Sequence, residues 1–133
     1  MTTYLTKGQI VYLNAFLIKR YSSSEDIGIK EPNLLDSAIN RPKQSAFGEE
    51  AYKTLFEKSA ALFQSLAQNH PFYNANKRTA YAALKAFLLQ NGYSIEAEQQ
   101  EKEDFTVKIS DQENKVGINE ISIWIENHSI SKS

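Results

Sequence analysis

Residues 70–79 read HPFYNANKRT and place one histidine, two asparagines, one lysine and one arginine within a single short stretch. Apolar, helix-like sequence lies on both sides of it, over residues 54–69 and 79–90. Polar side chains in a break between two buried helices are typical of a functional site, because loops on a rigid scaffold carry many binding and catalytic groups. We therefore expect the site of this protein in that loop.

The two flanking segments predict the helix pair at the centre of the fold. The first helix should open at Glu49 or Glu50, because negative charge is favourable at a helix N-terminus. Pro71 should end it, since the residue before a proline is disfavoured in the helical region. The second helix should begin near Asn76 and end at Asn91-Gly92. The apolar faces hold Leu55, Leu62, Phe63, Leu66 and Ala67 in the first helix, and Ala80, Ala83, Leu84, Phe87 and Leu88 in the second.

Apolar residues at helical spacing predict further helices over residues 7–20, 34–40 and 120–127, and a more mixed pattern indicates another over residues 101–110. Thr6 and Asn119 are the expected caps of the helices over residues 7–20 and 120–127. Residues 41–50 should be an exposed segment, which a hairpin would suit, and residues 93–95 can be extended. The polar tail 129–133 should fray. The inward positions are Ile10, Val11, Leu13, Phe16, Leu17, Leu35, Ala38, Ile39, Phe105, Val107, Ile109, Ile121, Trp124 and Ile125. With no convincing sheet, we expect an all-α fold: a compact bundle of about six helices with the motif loop between the third and fourth.

The totals for the whole chain narrow the class of protein. Its 133 residues suit one domain over residues 1–133, and its net charge of −1 argues against a general nucleic-acid coat, which would carry a basic excess. The absence of cysteine excludes disulfides and a thiolate nucleophile. The apolar run over residues 10–18 is too short to span a bilayer and lacks a small-residue cleavage site. We expect a cytoplasmic protein with no membrane partner and no direct nucleic-acid partner.

The start of the second central helix can bind an anion. Its first backbone N–H groups have no partner within the helix, and the helix dipole is positive there. Asn76, Lys77 and Arg78 lie at this end, and a lysine charge and an arginine fork both suit phosphate. If Lys77 and Arg78 were only a solvated first turn, both would oppose the dipole at a small cost in stability.

The remaining polar residues of the loop each have two interpretations. His70 at a helix exit is more often a residue that bonds a carbonyl, but opposite a phosphate-binding helix end it can act as a general base. Phe72 should anchor the loop to the core. Asn74 suits a turn, and its carbonyl oxygen can also ligate Mg²⁺.

The loop resembles the signature of the Fic/Doc superfamily. The Fic branch has the pattern H-P-F-x-[DE]-G-N-G-R-x-x-R and the Doc branch H-x-F-x-[DN]-[AG]-N-K-R. This chain has Lys77 where Fic proteins have glycine and Tyr81 where they have their second arginine, and both residues point to the Doc branch. Arg41-Pro42, residues 47–49 and residues 91–93 also resemble their counterparts in death-on-curing toxins, so the resemblance covers nearly the whole chain.

The resemblance implies an all-helical toxin of a toxin–antitoxin module that acts as a protein kinase with ATP and Mg²⁺. Transfer of the γ-phosphate to a threonine of translation elongation factor Tu would arrest translation, and a Phd-like antitoxin would neutralise the toxin. By position, His70 is the implied general base and Asn74 the Mg²⁺-associated residue, although many members have an acidic residue there. The implied phosphate-binding residues are Asn76, Lys77 and Arg78. Residues 41–52 correspond to the flap that aligns the target chain in Fic proteins.

Two other functions stay open at this point. A Fic-type AMP transferase would use the same base and anion site but transfer the nucleotide. A non-catalytic regulatory binding module would have a decayed site, which Asn74 in place of an acidic residue favours. Residues 122–127 also fit the short [ST]-x-x-x-E-[GN] pattern of Fic inhibitory helices through Ser122, Glu126 and Asn127, in a stretch where Ile123 and Trp124 are expected as ordinary packing positions.

Overall fold

Side-chain caps set where two of the long helices begin. The Thr6 hydroxyl accepts a hydrogen bond from the Gln9 backbone while the Gln9 side chain accepts one from the Thr6 backbone. Thr54 and Glu57 form the same reciprocal pair further along the chain. Each capping box satisfies two backbone donors that a helix start leaves free, which defines the first residue of the helix.

The computed structural model describes residues 1–132, and within them it contains six α-helices. The helices are α1 (Lys7–Tyr21), α2 (Pro32–Asn40), α3 (Leu55–Asn69), α4 (Asn76–Gln90), α5 (Gln99–Ser110) and α6 (Ile118–Asn127), with a 3-10 turn at Arg41–Lys43. The strands are β1 (Ser45–Ala46), β2 (Glu49–Glu50), β3 (Tyr93–Ile95) and β4 (Ser129–Ser131). The all-α fold class is confirmed, and none of the helices in residues 1–132 is long and apolar enough to cross a bilayer.

Helix α3 lies at the centre of the molecule. It packs against α2, α4, α5, α6 and the 3-10 turn, while α4 also packs against α1 and α5. Alanines on α3 allow these close approaches, since Ala60, Ala61 and Ala67 are fully buried. The predicted apolar face of α4 is buried throughout, as are Leu62, Phe63 and Leu66 of α3. The central helix pair is therefore confirmed, and it holds the motif loop at one end.

The predicted start of the first central helix is wrong. Glu49 and Glu50 form β2, which pairs antiparallel with β1, with Ser45 opposite Glu50 and Ala46 opposite Glu49. The helix begins only after the Thr54 cap, and Glu57 supplies the acidic residue of its first turn. The hairpin turn before Glu49 and Glu50 and the capping box after them are stronger local signals than the charge of the acidic pair.

Two predicted inward positions are also wrong. Phe16 of α1 and Val107 of α5 are 48% and 55% exposed. The buried residues of α1 are Ile10, which was predicted, and Asn14 and Ile18, which were not; the three follow one another at intervals of four. The sequence pattern missed this face because Asn14 interrupts it with a polar side chain.

The expectations of a frayed tail and of no sheet also need correction. Ser129–Ser131 forms β4 and pairs antiparallel with β3, with Ser94 opposite Ile130. The backbone N–H of Lys132 also donates to the Gly92 carbonyl at 2.8 Å. Polar side chains do not prevent this pairing, because the ladder uses main-chain groups alone. The last residue of the predicted tail, at position 133, lies outside the described residues.

Candidate active site

The motif loop joins α3 to α4 and contains two residues with an uncommon backbone conformation. His70 ends α3 with φ 48° and ψ 57°, and Ala75 precedes α4 with φ 60° and ψ 31°. For a residue with a Cβ this left-handed region costs about 1–2 kcal/mol. Such conformations persist only where surrounding contacts impose them.

The side chain of Asn76 supplies the first of these contacts. Its Oδ1 accepts a hydrogen bond from the Phe72 backbone N–H and its Nδ2 donates to the Phe72 carbonyl, both at 2.9 Å. The Phe72 ring is 1% exposed and is part of the core, so its predicted role as the anchor is confirmed. Asn76 thereby closes the loop on itself and places its backbone N–H at the start of α4.

The connection between α1 and α2 holds the loop from outside. The N–H groups of Lys30 and Glu31 donate to the Pro71 carbonyl at 2.8 and 3.0 Å, and the Tyr73 N–H donates to the Gly28 carbonyl at 3.1 Å. Gly28 has φ 150°, and a Cβ there would lie 3.5 Å from the Tyr73 ring. A glycine suits this position because its backbone conformation is rare for other residues.

Sequence analysis missed Asn14 as a residue of the site. Its side chain is 1% exposed, and its Nδ2 donates to the Asn74 carbonyl at 2.9 Å and to Thr79 Oγ1 at 3.0 Å. It therefore ties α1 to both the loop and the first turn of α4. The available signal was a polar residue at the centre of an otherwise apolar helix face, because a buried amide needs partners.

The side chain of Asn74 is oriented by the same neighbourhood. Its Nδ2 donates to the Asp26 carbonyl at 3.0 Å. This bond identifies the opposite atom, Oδ1, as the free one, and within residues 1–132 it has no hydrogen-bond donor. A neutral carbonyl oxygen is a suitable but weak ligand for Mg²⁺. The described part of the chain contains no group of three His, Cys, Asp or Glu side chains that could hold a metal alone.

The start of α4 is open to a ligand. Ala75 at the cap position provides no side-chain hydrogen bond to the helix, and the first N–H groups of α4 point outward with the positive end of the dipole. Lys77 and Arg78 are exposed beside them. In the described residues neither cation forms an ion pair, and the Arg78 guanidinium lies 4.8 Å from the centre of the Tyr21 ring.

His70 lies at the same end of the helix pair, since only six residues, 70–75, separate α3 from α4. It is exposed and has no side-chain hydrogen bond to any residue of the 1–132 range. The loop therefore combines an unpaired imidazole with an unpaired cationic helix start. That combination can accept a proton on one side and bind an anion on the other.

The sequence model of the Fic/DOC family matches residues 4–88. The chain belongs to the Fic/DOC family. Toxin Doc of Mycolicibacterium smegmatis is 37% identical over 98 residues, which are 74% of this chain and 72% of that protein. Protein kinase doc of Escherichia phage P1 is 30% identical over 92 residues, which are 69% of this chain and 71% of that protein. Both relatives are Doc proteins, in agreement with the branch that Lys77 and Tyr81 indicated.

Tyr81, which replaces the second arginine of the Fic pattern, does not reach the anion site. Its ring packs edge-on against Phe63, and Lys102 Nζ of α5 lies 5.7 Å from the ring centre. Burial, and secondarily the Glu101 carboxylate, raise the pKa of Tyr81 to about 12. Position 81 thus faces α5 and contributes no cation to the loop.

The segment expected to be a flap is an exposed hairpin. Phe47 and Gly48 form its two-residue turn with φ of 54° and 81°, and the Phe47 side chain is fully exposed at the tip. Arg41 fixes the base of the hairpin, because its guanidinium donates to the Tyr52 hydroxyl, Gln64 Oε1 and Ser65 Oγ.

Lys58 secures the other arm of the hairpin. Its side chain is 3% exposed, donates to the Tyr52 carbonyl, and lies 3.2 Å from Glu50 Oε1. The base of the hairpin is therefore tied to α3 on both sides, while both of its strands remain exposed.

The inhibitory-helix pattern falls on α6. Ser122 is buried, and its hydroxyl donates to the Asn119 carbonyl of the same helix. Glu126 is exposed, and within the described residues it forms no bond to His70 or to the start of α4. These positions have the packing and solvent roles of an ordinary terminal helix.

Proposed function

We propose that this protein is a Doc-type toxin that transfers the γ-phosphate of ATP to a threonine of translation elongation factor Tu and so arrests translation. The observation that carries the proposal is the uncapped, cationic start of α4 at the same end of the helix pair as the unpaired side chain of His70. The phage P1 relative, Protein kinase doc, supports kinase chemistry over other transfers.

Three side chains of the loop have direct roles in this reaction. His70 accepts the proton of the threonine hydroxyl as the hydroxyl oxygen forms its bond to the γ-phosphorus. The bond between that phosphorus and the bridging oxygen breaks, and ADP leaves. Lys77 and Arg78, with the backbone N–H groups of α4, neutralise the phosphate oxygens. Phosphoryl transfer depends on positioning and charge neutralisation of this kind.

Mg²⁺ fits the site through Asn74. Its Oδ1 is free and its amide is held by the Asp26 carbonyl, so the oxygen is available to a metal. Bound with ATP, Mg²⁺ would neutralise charge on the phosphates. Because Asn74 adds no negative charge, the nucleotide phosphates would supply the negative charge that holds the metal, and water would complete its coordination.

The partners follow from the same family assignment. The exposed hairpin, residues 45–50, would align the target chain along a free strand edge, as extended peptides add to exposed sheet edges. A Phd-like antitoxin would neutralise the toxin in the cytoplasm, where its target acts.

A parallel-label assay tests the proposal. The purified protein is incubated with Mg²⁺, elongation factor Tu and ATP labelled at either the α or the γ position. We expect label on the factor from the γ position alone, and His70→Ala should abolish it without changing the melting temperature. Label from the α position would instead establish AMP transfer.

A matched pair of lysine variants and one asparagine variant complete the design. Lys77→Gln should lower transfer, whereas Lys85→Gln, an exposed lysine on the same helix, should not. If neither label appears with the wild type, Asn74→Asp is tested in the same assay. Restored γ-label would locate the defect in metal binding, and continued absence would favour a different target or a non-catalytic module.

A further inference from the structure

The last turn of α1 carries cations toward the motif loop. Arg20 and Tyr21 are both exposed, and the Arg20 guanidinium lies 5.6 Å from the centre of the Tyr21 ring. The Arg78 guanidinium, from α4, lies 4.8 Å from the same ring centre. One aromatic ring therefore gathers two arginines from helices that are far apart in sequence.

This arrangement leaves Arg78 able to bind a ligand. Within residues 1–132 the Arg78 guanidinium forms no hydrogen bond or ion pair, so its N–H donors are available to a bidentate anion while the group lies 4.8 Å from the Tyr21 ring centre. Tyr21 thus restricts the motion of Arg78 without occupying its donors. No acidic side chain of the described chain pairs with Arg20 or Arg78, although Glu25 and Asp26 follow in the next connection.

The position of Tyr81 gives this cluster its significance. The Fic pattern supplies a second arginine at that position, but Tyr81 packs against Phe63 and faces α5. The loop consequently lacks a second guanidinium from α4. Arg20 brings one to the same end of the molecule from α1.

We propose that Arg20 is a second phosphate-binding arginine of this site. In the same proposal, Tyr21 is a positioning residue that holds Arg78 in place for the phosphates of the nucleoside triphosphate. The inference rests on the proposed function, since it assumes that the start of α4 binds the phosphates of ATP. It extends the site beyond the motif to the end of α1.

Calorimetric titration with Mg²⁺–ATP tests the proposal. Arg20→Gln should weaken binding about fivefold, the value expected of one exposed charge-assisted contact. The loss should shrink at high salt, because screening reduces the attraction that the variant lacks. Lys19→Gln removes a neighbouring exposed cation that has no contact with the ring, and it should bind ATP as the wild type does.

Two variants at position 21 separate positioning from general structure. Tyr21→Leu should raise the KM for ATP about threefold with little change in kcat. Without the ring, Arg78 is more mobile, and ATP binds more weakly in the ground state. Tyr21→Phe keeps the ring and should match the wild type. A fall in kcat at unchanged KM in Tyr21→Leu would overturn the positioning role.

Arg78→Gln distinguishes failure of this inference from failure of the proposed function. If Arg78→Gln weakens ATP binding while Arg20→Gln does not, the role of Arg20 is refuted, and the phosphate site at the start of α4 is supported. If neither variant weakens binding, the start of α4 is not the phosphate site and both proposals fail.

Discussion

Asn14 offers the sharpest test of how the loop is held. It is a buried amide on α1 whose Nδ2 donates both of its hydrogens to groups distant in sequence, the Asn74 carbonyl and Thr79 Oγ1. Asn14→Ala removes both hydrogen bonds and leaves the carbonyl of Asn74 and the hydroxyl of Thr79 without that donor. We expect the variant to fold with a less stable loop and a less stable α1–α4 contact.

The magnitude follows from the two orphaned groups. A buried polar group that loses its partner costs about 1–3 kcal/mol, and only one of these two bonds is fully buried. We therefore expect a loss of about 2–4 kcal/mol, against the roughly 5–15 kcal/mol by which small proteins are stable. For a chain of this length the melting temperature should fall by about 6–12 °C.

Chemical and thermal unfolding of three variants measure this loss. Asn40→Ala makes the same chemical change where the amide donates one exposed hydrogen bond, to the Asp36 carbonyl, and should cost less than about 0.5 kcal/mol. Asn14→Leu keeps the branching at Cγ and leaves no cavity, because leucine is somewhat larger than asparagine, so it should remain clearly destabilised if lost hydrogen bonds rather than a cavity cause the effect. Equal stability of Asn14→Ala and Asn40→Ala would refute the reasoning.

Three further outcomes are expected elsewhere in the molecule. Tyr81→Phe should leave stability unchanged or raise it by up to about 1 kcal/mol, because the buried hydroxyl has no partner within residues 1–132. A clear loss of stability in a urea titration would mean that the hydroxyl does have a hydrogen-bond partner. Hydrogen bonds from the Glu98 backbone and the His128 side chain lower the pKa of Glu101. The ionised Glu101 carboxylate therefore stabilises the fold above its unfolded-state pKa, and this stabilisation is lost as the pH falls through its folded-state pKa. Glu101→Gln should then lower the urea midpoint near pH 7, and the drop should shrink as the pH is lowered through the acidic range; a drop that stays the same at every pH would contradict this. Lys58→Met should speed protease cleavage within residues 45–50, since it frees the arm of the hairpin that Lys58 holds; unchanged cleavage would show that Arg41 suffices.

The parts of the fold that were predictable depend on local sequence. The apolar faces of α3 and α4 repeat with helical spacing, and Pro71 and Asn91-Gly92 mark ends that the structure places within a residue or two. The motif loop was visible because its polar residues lie together in the chain. None of these inferences needed knowledge of which segments meet in space.

The features that escaped prediction depend on distant partners. Asn14 reads as an interruption of an apolar run until its partners, about sixty residues away, are known. The β3–β4 pairing joins main-chain groups about thirty-five residues apart, for which side-chain polarity gives no signal. The contact of the Tyr21 ring with Arg78 likewise cannot be predicted until the packing of α1 against α4 is known.

The strain in the loop and the contacts that oppose it form one arrangement. His70 and Ala75 hold positive φ values because Asn14, Asn76 and the 28–31 connection fix the main chain between them. These contacts attach chiefly to backbone groups, so they leave the side chains of His70 and Lys77 free. Substitution of a residue that anchors the loop should therefore lower stability and activity together. Substitution of His70 or Lys77 should lower activity alone, because the folded state uses neither side chain.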